Sequence, residues 1–154
     1  MHKDMGENER SGREQDESLR IFRGLSQQCP EVYLPNVAQI LFNQANLHSG
    51  LGRYEEAERE YEESLSIFRD LSEKCPEVYL PNVAQSVESL AWLHSVLGQY
   101  AKSEMLCEEA VAHYRDLYSQ RTLQYEDKLC KNINRLAYYQ MYQEKYSQAL
   151  ETIE

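Results

Sequence analysis

Apolar and polar positions along the chain alternate with the period of amphipathic helices. The clearest stretch covers residues 54–74, where one side of a helix would carry Tyr54, Ala57, Tyr61, Leu65, Phe68 and Leu71. Charged residues, mainly glutamates, fill most of the other positions of this stretch, so the opposite face is solvated. A second stripe, with spacings of four, four and three residues, consists of Val37, Leu41, Ala45 and His48. The pattern therefore predicts two helices, from about Leu34 to Leu51 and from about Tyr54 to Lys74.

Glycine and proline mark the ends of these helices. Gly50 and Gly52 lie between the two stripes and can supply the positive φ that a tight interhelical turn requires. Pro35 would lie near the first turn of the first helix, where a missing N–H is tolerated. Cys75 precedes Pro76, and a residue before proline disfavours the α conformation. We therefore expect a helical hairpin followed by a break.

The same pattern recurs with an offset of 46 residues. Residues 18–39 and 64–85 are identical at 18 of 22 positions, including the block Cys-Pro-Glu-Val-Tyr-Leu-Pro-Asn-Val-Ala-Gln. The segment 52–57 corresponds at the same offset to 98–103 and then to 144–149, where Glu144 stands in place of the glycine. A period between about 20 and 50 residues is typical of a solenoid, in which each unit buries its apolar face against a neighbour.

The offset divides the chain into units. We predict a disordered segment at 1–14, a partial unit at 15–29, units at about 30–75 and 76–121, and an incomplete unit at about 122–154. In the second unit, the helices would run from Leu80 to Leu97 and from Tyr100 to Ser119. The third would have a helix from Tyr125 to Tyr142 and then begin a second one. The fold class is all-α, an α-solenoid of antiparallel helix pairs whose open ends favour self-association.

Composition and charge narrow the function. With a formal charge of −10, the surface repels nucleic acid and anionic membranes. No apolar run approaches the roughly 18 residues of a membrane span, and residues 1–13 lack the apolar core of a signal peptide. We expect a cytoplasmic protein. The four cysteines show no zinc-ligand spacing, which favours reduced thiols without a metal.

The repeated residues resemble the tetratricopeptide signature of a small residue, a turn glycine, an aromatic, a small residue and another aromatic. The three copies supply, in order, Ala45, Gly52, Tyr54, Ala57 and Tyr61; then Ala91, Gly98, Tyr100, Ser103 and Ala110; then Ala137, Tyr146 and Ala149. The period of 46 exceeds the usual 34 and resembles the extended arrays of bacteria and kinesin light chains. Cys107 departs from the pattern, because in the second copy it occupies the position that Tyr61 has in the first. The resemblance implies a right-handed superhelix.

It also implies that the first helices of successive units line a concave groove for a peptide or partner protein. The groove residues would be Gln39, Phe42, Asn43, Asn46, Gln85, Glu88, Ser89, Trp92, Lys131, Asn134, Arg135 and Tyr138. Trp92 would either anchor a peptide as an exposed aromatic or pack against the neighbouring helix.

Three of these residues suggest a sharper hypothesis. Asn46, Lys131 and Arg135 match three of the five positions with which some co-chaperone tetratricopeptide domains clamp the carboxylates of a peptide C-terminus. Two cations and an amide can fork onto carboxylate oxygens. Phe42 and Ser89 depart from that pattern, and cations on helix surfaces are commonly only solvated.

Catalytic chemistry finds little support in the sequence. His48 and His94 are repeat equivalents on apolar stripes, which favours packed histidines over ligands or bases. No phosphate-binding glycine loop, nucleophile elbow or HExxH motif is present. We therefore predict a protein-interaction scaffold that needs no cofactor and is not an enzyme. The alternative is a self-associating assembly or regulatory module that makes contact through its exposed repeat ends.

Overall fold

A computed structural model describes residues 2–120 and 124–153 of the chain, with side chains described at 6–120 and 124–145. These residues form six helices and no strand. The helices are α1 (His2–Gln28), α2 (Pro30–Gly50), α3 (Tyr54–Lys74), α4 (Pro76–Val96), α5 (Tyr100–Gln120) and α6 (Glu126–Ile153). None of the described helices combines the length and the hydrophobicity needed to cross a lipid bilayer.

The repeated Cys-Pro pair separates one helix from the next. Cys29 has φ −133° and ψ 74°, and Cys75 has φ −135° and ψ 71°, so both leave the α region at the same point of the repeat. Each following helix begins at its proline, where no N–H is needed. The predicted starts at Leu34 and Leu80 were therefore wrong, since α2 and α4 begin four residues earlier. Pro35 consequently lies inside α2 rather than in its first turn.

The predicted hairpin turns are confirmed, and each uses one glycine. Gly52 has φ +76° and Gly98 has φ +73°, in the left-handed region that costs glycine little. Gly50 is the last residue of α2 and does not take a positive φ. Glu144 occupies the corresponding place of the third unit, and there α6 continues without a turn to Ile153. The predicted break after Tyr142 is therefore absent, because no residue at this point adopts a left-handed conformation cheaply.

The chain divides into two compact units, Met1–Tyr79 and Leu80–Glu154. In the first, α2 lies between α1 and α3 and packs against both. Its buried face holds Val37, Leu41 and Ala45, as the apolar stripe predicted. The Ser64 hydroxyl on α3 donates a hydrogen bond to the Ala38 carbonyl, at 2.7 Å, which fixes the close approach of the two helices. Each fully buried leucine or phenylalanine here contributes about 1.5–3 kcal/mol.

The second unit repeats the hairpin with α4 and α5 and adds α6, which packs on α5. Ala91 and Cys107 are fully buried with Tyr139 of α6 in one cluster. The Ser103 hydroxyl on α5 donates to the Ala91 carbonyl of α4, at 2.6 Å. Small residues thus bring the paired helices together in both hairpins.

At the N-terminus, α1 is helical from His2, whereas the sequence suggests disorder up to residue 14. Ion pairs one turn apart join Arg10 to Glu14 and Glu9 to Arg13 along this exposed part of the helix. The disorder of this segment and the division of the remainder into repeat units stay predictions.

Candidate peptide-binding surface

The first helices α2 and α4 each bury one face and leave a narrow polar stripe exposed. On α2 the exposed stripe includes three of the predicted groove residues, Gln39, Asn43 and Asn46. The Gln39 side-chain amide donates to the Asn43 Oδ1 at 3.2 Å, so two of them already contact each other. These short amides can donate to and accept from the backbone of an extended peptide.

Phe42, also predicted for the groove, is placed differently. It is only 7% exposed and meets Tyr61 of α3 edge to face, with 5.5 Å between ring centroids. The Tyr61 hydroxyl then donates to Asn46 Oδ1 at 2.6 Å. Phe42 is therefore a core residue that supports the surface from below, because its position in α2 faces the partner helix of the hairpin.

On α4, Trp92 is the main exposed feature. Its side chain is 41% exposed, while its neighbours Ala91 and Leu93 are fully buried. Gln85 lies on the same exposed side, and Ser89 between them is half-buried. The sequence left open whether Trp92 is an exposed aromatic or packs against the neighbouring helix. The structure exposes a large part of its side chain to solvent.

Glu88 is buried rather than exposed, and it joins three helices of the second unit. It accepts a hydrogen bond from the Tyr114 hydroxyl of α5 at 2.9 Å. Lys128 and Arg135 of α6 donate to its two oxygens at 3.3 and 3.4 Å. Burial, with the adjacent Glu88 carboxylate, raises the pKa of Tyr114. The sequence could not reveal this network, because Glu88 is 26 to 47 positions away from its three partners and only the fold brings them together.

The predicted residues on α6 have different surroundings. Lys131, Asn134 and Tyr138 are exposed, with Tyr138 at 53%. Arg135 is half-buried through its contact with Glu88.

Two of the three side chains of the carboxylate-clamp hypothesis already make hydrogen bonds within the chain. Asn46 accepts the Tyr61 hydroxyl, and Arg135 donates to Glu88. Asn46 belongs to the first unit, whereas Lys131 and Arg135 belong to the second. The clamp stays a prediction.

Four tyrosines form a cluster that the sequence indicated only in part. Tyr138, Tyr139 and Tyr142 are close in sequence, and the fold adds Tyr100 from the start of α5, 4.5 Å from the Tyr142 ring. Tyr138 and Tyr142 are 53% and 40% exposed. Desolvation is the main cause that raises the pKa of Tyr100, followed by its tyrosine neighbours. The cluster extends the exposed aromatic surface of the second unit along α6.

The two histidines are packed, as predicted. His94 is buried at 4% exposure, and its Nδ1 lies 2.8 Å from Gln99 Oε1. His48 is half-buried, with Nδ1 2.7 Å from Glu60 Oε2 of α3. Desolvation raises the pKa of Glu60, and its bond to His48 opposes that shift.

The His48–Glu60 pair opens into a cleft of about 620 Å³ in the first unit. Ion pairs link Arg53 to Glu56 on its wall, and Asp16 accepts a hydrogen bond from the Gln44 amide. Among the described residues, no three His, Cys, Asp or Glu side chains are placed to hold a metal ion. The cleft combines cations and carboxylates that pair with one another, and the described residues of its lining include no serine, threonine or cysteine that could act as a nucleophile.

Helix pairs joined by a glycine turn and repeated every 46 residues define an all-α helical-repeat protein of the solenoid class. Two sequence models described as tetratricopeptide repeat match the chain, at residues 38–71 and 83–121. These matches support assignment of the chain to the tetratricopeptide repeat family. The interval between the two matches, 72–82, contains the end of α3 and the first turns of α4, so the long period lies in these helix ends.

A solved structure shares this fold. BtubC (BKLC) from P. vanneervenii superposes with a TM-score of 0.61 at 21% sequence identity, over 94% of this chain. The match covers 53% of the BtubC chain, so the present chain spans about half the length of that structure. A comparison with curated proteins gave no match.

Proposed function

We propose that the chain is a protein-interaction scaffold that binds an extended peptide or partner segment along the exposed stripes of its first helices. Tetratricopeptide repeats generally mediate protein–protein interactions, and proteins built from them are typically non-catalytic scaffolds. The observation that carries the proposal is the exposure of Trp92, the chain's single tryptophan, on a helix whose other side is buried.

The chemistry of the second unit suggests what this surface would bind. Trp92 and Tyr138 offer flat aromatic faces at low conformational cost, and such residues dominate the energetics of peptide interfaces. Lys131 adds a cation to the exposed side of α6. Polar amides, aromatic rings and one cation together suit a peptide with apolar anchors and an acidic residue. The predicted groove set is retained except for Phe42 and Glu88, which act beneath the surface.

The single tryptophan provides a direct assay. Peptides selected from a displayed random library against the native chain would be titrated while the Trp92 emission is followed. We expect the emission to shift on binding, because a ring that is 41% exposed becomes desolvated. A Tyr138→Ala variant should weaken binding about tenfold, in line with a loss of roughly 1–2 kcal/mol at an aromatic anchor.

The matched control is Met105→Ala, which removes a side chain that is 70% exposed on the second helix α5. This variant should bind the selected peptides with native affinity. Equal binding by the native chain and by a Trp92→Ala, Tyr138→Ala double variant would contradict the proposal.

Absence of catalysis, independence from cofactors, and a cytoplasmic location remain part of the proposal. The carboxylate-clamp variant of it is tested in the same assay with peptides that end in a free carboxylate or in an amide. A clamp requires a clear preference for the free carboxylate, and that preference should fall when Lys131 is changed to Ala.

A further inference from the structure

The first and last helices of the described chain correspond to opposite halves of the repeated hairpin. Residues 18–28 of α1 correspond to 64–74 of α3, the second helix of a hairpin. Residues 130–141 of α6 correspond to 38–49 of α2 and to 84–95 of α4, the first helices of hairpins. Among the described residues, α1 is therefore a second helix with no first helix of its own hairpin beside it, and α6 is a first helix with no second helix beside it.

The exposed fractions of equivalent side chains show which face of α1 has no helix packed against it. Leu71 of α3 is 8% exposed, whereas its equivalent Leu25 on α1 is 37% exposed. Ser64 is 0% exposed, whereas its equivalent Ser18 is half-buried. Since the residue types are identical, the difference arises from the missing neighbour.

The corresponding face of α6 is exposed in the same way. Along α4 this face is Ala84, Val87 and Ala91, each 0% exposed, and the Ala91 carbonyl accepts the Ser103 hydroxyl of the following helix α5. Its equivalents on α6 are the exposed residues Cys130, Ile133 and Ala137, and Met141 extends the face by one turn. Ile133 is 38% and Met141 is 47% exposed. We call these four residues the open face of α6.

We propose that α1 of a second copy of this chain packs on the open face of α6 and completes a hairpin-like helix pair. The proposal goes beyond peptide binding, because it concerns surfaces other than the exposed stripes. The occupant is specified by the repeat itself, since α1 carries the Ser-Leu-x-Ile-Phe-Arg-x-Leu-Ser sequence of α3. In α3 that sequence already packs on a first helix.

The pairing can reproduce both serine hydrogen bonds of the existing hairpins, once the Ser18 hydroxyl leaves the Glu14 carbonyl of its own helix, to which it donates at 2.8 Å. In α2–α3, Ser64 donates to the Ala38 carbonyl, and in α4–α5, Ser103 donates to the Ala91 carbonyl. At the equivalent places the pairing sets Ser18 against the Cys130 carbonyl and Ser11 against the Ala137 carbonyl, with offsets of 46 or 92 residues. Small residues on both sides permit the same close approach.

Charge also favours this occupant over another acidic helix. In a chain of net charge −10, α1 has five basic and six acidic residues, and α6 has four of each. The second helix α3 has three basic and eight acidic residues, so its exposed face would repel a second copy. Charge therefore opposes the pairing of α6 with α1 less than a pairing with α3.

The two surfaces differ, so the contact is heterologous and joins copies head to tail. Each copy in such a pair would still present one α1 or one open face, and the mass would grow with concentration. This behaviour separates the proposal from a symmetric dimer.

Light scattering behind size exclusion, over a range of loading concentrations, measures that growth. Ala137→Glu would block the open face, and Ser18→Glu would block α1. Ala112→Glu is the matched control, because Ala112 is exposed on α5 outside both surfaces. We expect the native chain and the control to grow with concentration, and each blocked variant to remain monomeric while retaining the native helical circular dichroism.

Mixing the two blocked variants gives the decisive result. Each retains one intact surface, so the mixture should form a one-to-one dimer and nothing larger. A mixture that stays monomeric would overturn the proposal, as would a native chain that is monomeric at every concentration.

Thiol alkylation locates the contact independently. Cys130 lies on the open face, whereas Cys75 is exposed between α3 and α4. The alkylation rate of Cys130, relative to that of Cys75, should fall several-fold as the concentration of the native chain rises. Protection of Cys130 that does not depend on concentration would show that the chain covers this face by itself, and would also overturn the proposal.

Discussion

Two equivalent segments of the repeat, 18–28 in α1 and 64–74 in α3, are identical at 7 of 11 positions but have different surroundings in the first unit. In α3 the shared Leu65 and Phe68 are 4% and 3% exposed, whereas Leu19 and Phe22 of α1 are half-buried. Local sequence makes both segments helical with the same apolar stripe. How much each stripe contributes to stability depends on whether a first helix covers it, which is the general property of a repeat whose units contact only their neighbours.

The largest expected effect comes from replacing the equivalent phenylalanines of the two segments, Phe68 in α3 and Phe22 in α1. Phe68→Ala should cost about 3–5 kcal/mol, because the phenylalanine is fully enclosed and leaves a cavity. Phe22→Ala should cost about 1 kcal/mol, since the side chain of Phe22 is already partly exposed to water. Urea unfolding followed by circular dichroism measures both. Equal costs would mean that α1 is covered in solution as fully as α3.

A second comparison concerns the repeat position shared by Phe42 and Glu88. Glu88→Ala should destabilise the second unit by about 2 kcal/mol, because Tyr114 loses a buried hydrogen-bond acceptor. Arg135 and Lys128 are partly exposed and can find water, so they add little to that cost. A double variant with Tyr114→Phe should recover part of the loss. If Glu88→Ala and the double variant were equally stable, the hydroxyl would not depend on Glu88.

Substitutions at equivalent repeat positions compare the hairpin turn of the first unit, at Gly52, with the continuous helix α6, at Glu144. Gly52→Ala should cost about 1–2 kcal/mol, because alanine is strained at φ +76°. Glu144→Gly should cost about 0.5–1 kcal/mol, since glycine weakens the interior of a helix. Thermal unfolding measures both changes. A stabilising Glu144→Gly would indicate that a turn forms at this position.

The smallest expected effect concerns two histidines at the same repeat position. His48 contacts Glu60, whereas His94 contacts Gln99. Desolvation raises the pKa of Glu60 above its ordinary value of 4.5. The stability that protonated Glu60 contributes is fully present below pH 4.5 and is lost as the pH rises through the raised pKa. The difference between native and Glu60→Gln stability should therefore change across this window, by less than about 1 kcal/mol.

Glu56 provides a control of opposite sign on the same helix. Its bond to Arg53 lowers the pKa of Glu56, so its contribution is present above pH 4.5 and is lost as the pH falls through the lowered pKa. The unfolding midpoint in urea, measured from pH 3 to pH 7 for Glu60→Gln and Glu56→Gln, should drift in opposite directions relative to the native chain. Parallel drifts would contradict the assigned desolvation at Glu60.

Much of the fold could be predicted from the chain because the determinants are local and repeated. The bounds of α3, the glycine turns at Gly52 and Gly98, and the buried stripes all follow from helical periodicity and glycine chemistry. The starts of α2 and α4 were missed because Pro30 and Pro76, rather than the later Pro35 and Pro81, occupy the first helical position. The sequence predicted exposed residues along the first helices, but Phe42 and Glu88, which were included among them, are buried.

The sequence by itself determined the helical repeat, its period, its turns and its family, because each depends on residues close together in the chain. Only the tertiary structure decided that Glu88 joins Tyr114, Lys128 and Arg135, and that α1 and α6 expose opposite halves of a hairpin. The physical reason is that burial depends on neighbours brought together from distant positions, and identical residues therefore differ in exposure according to the helix that lies beside them.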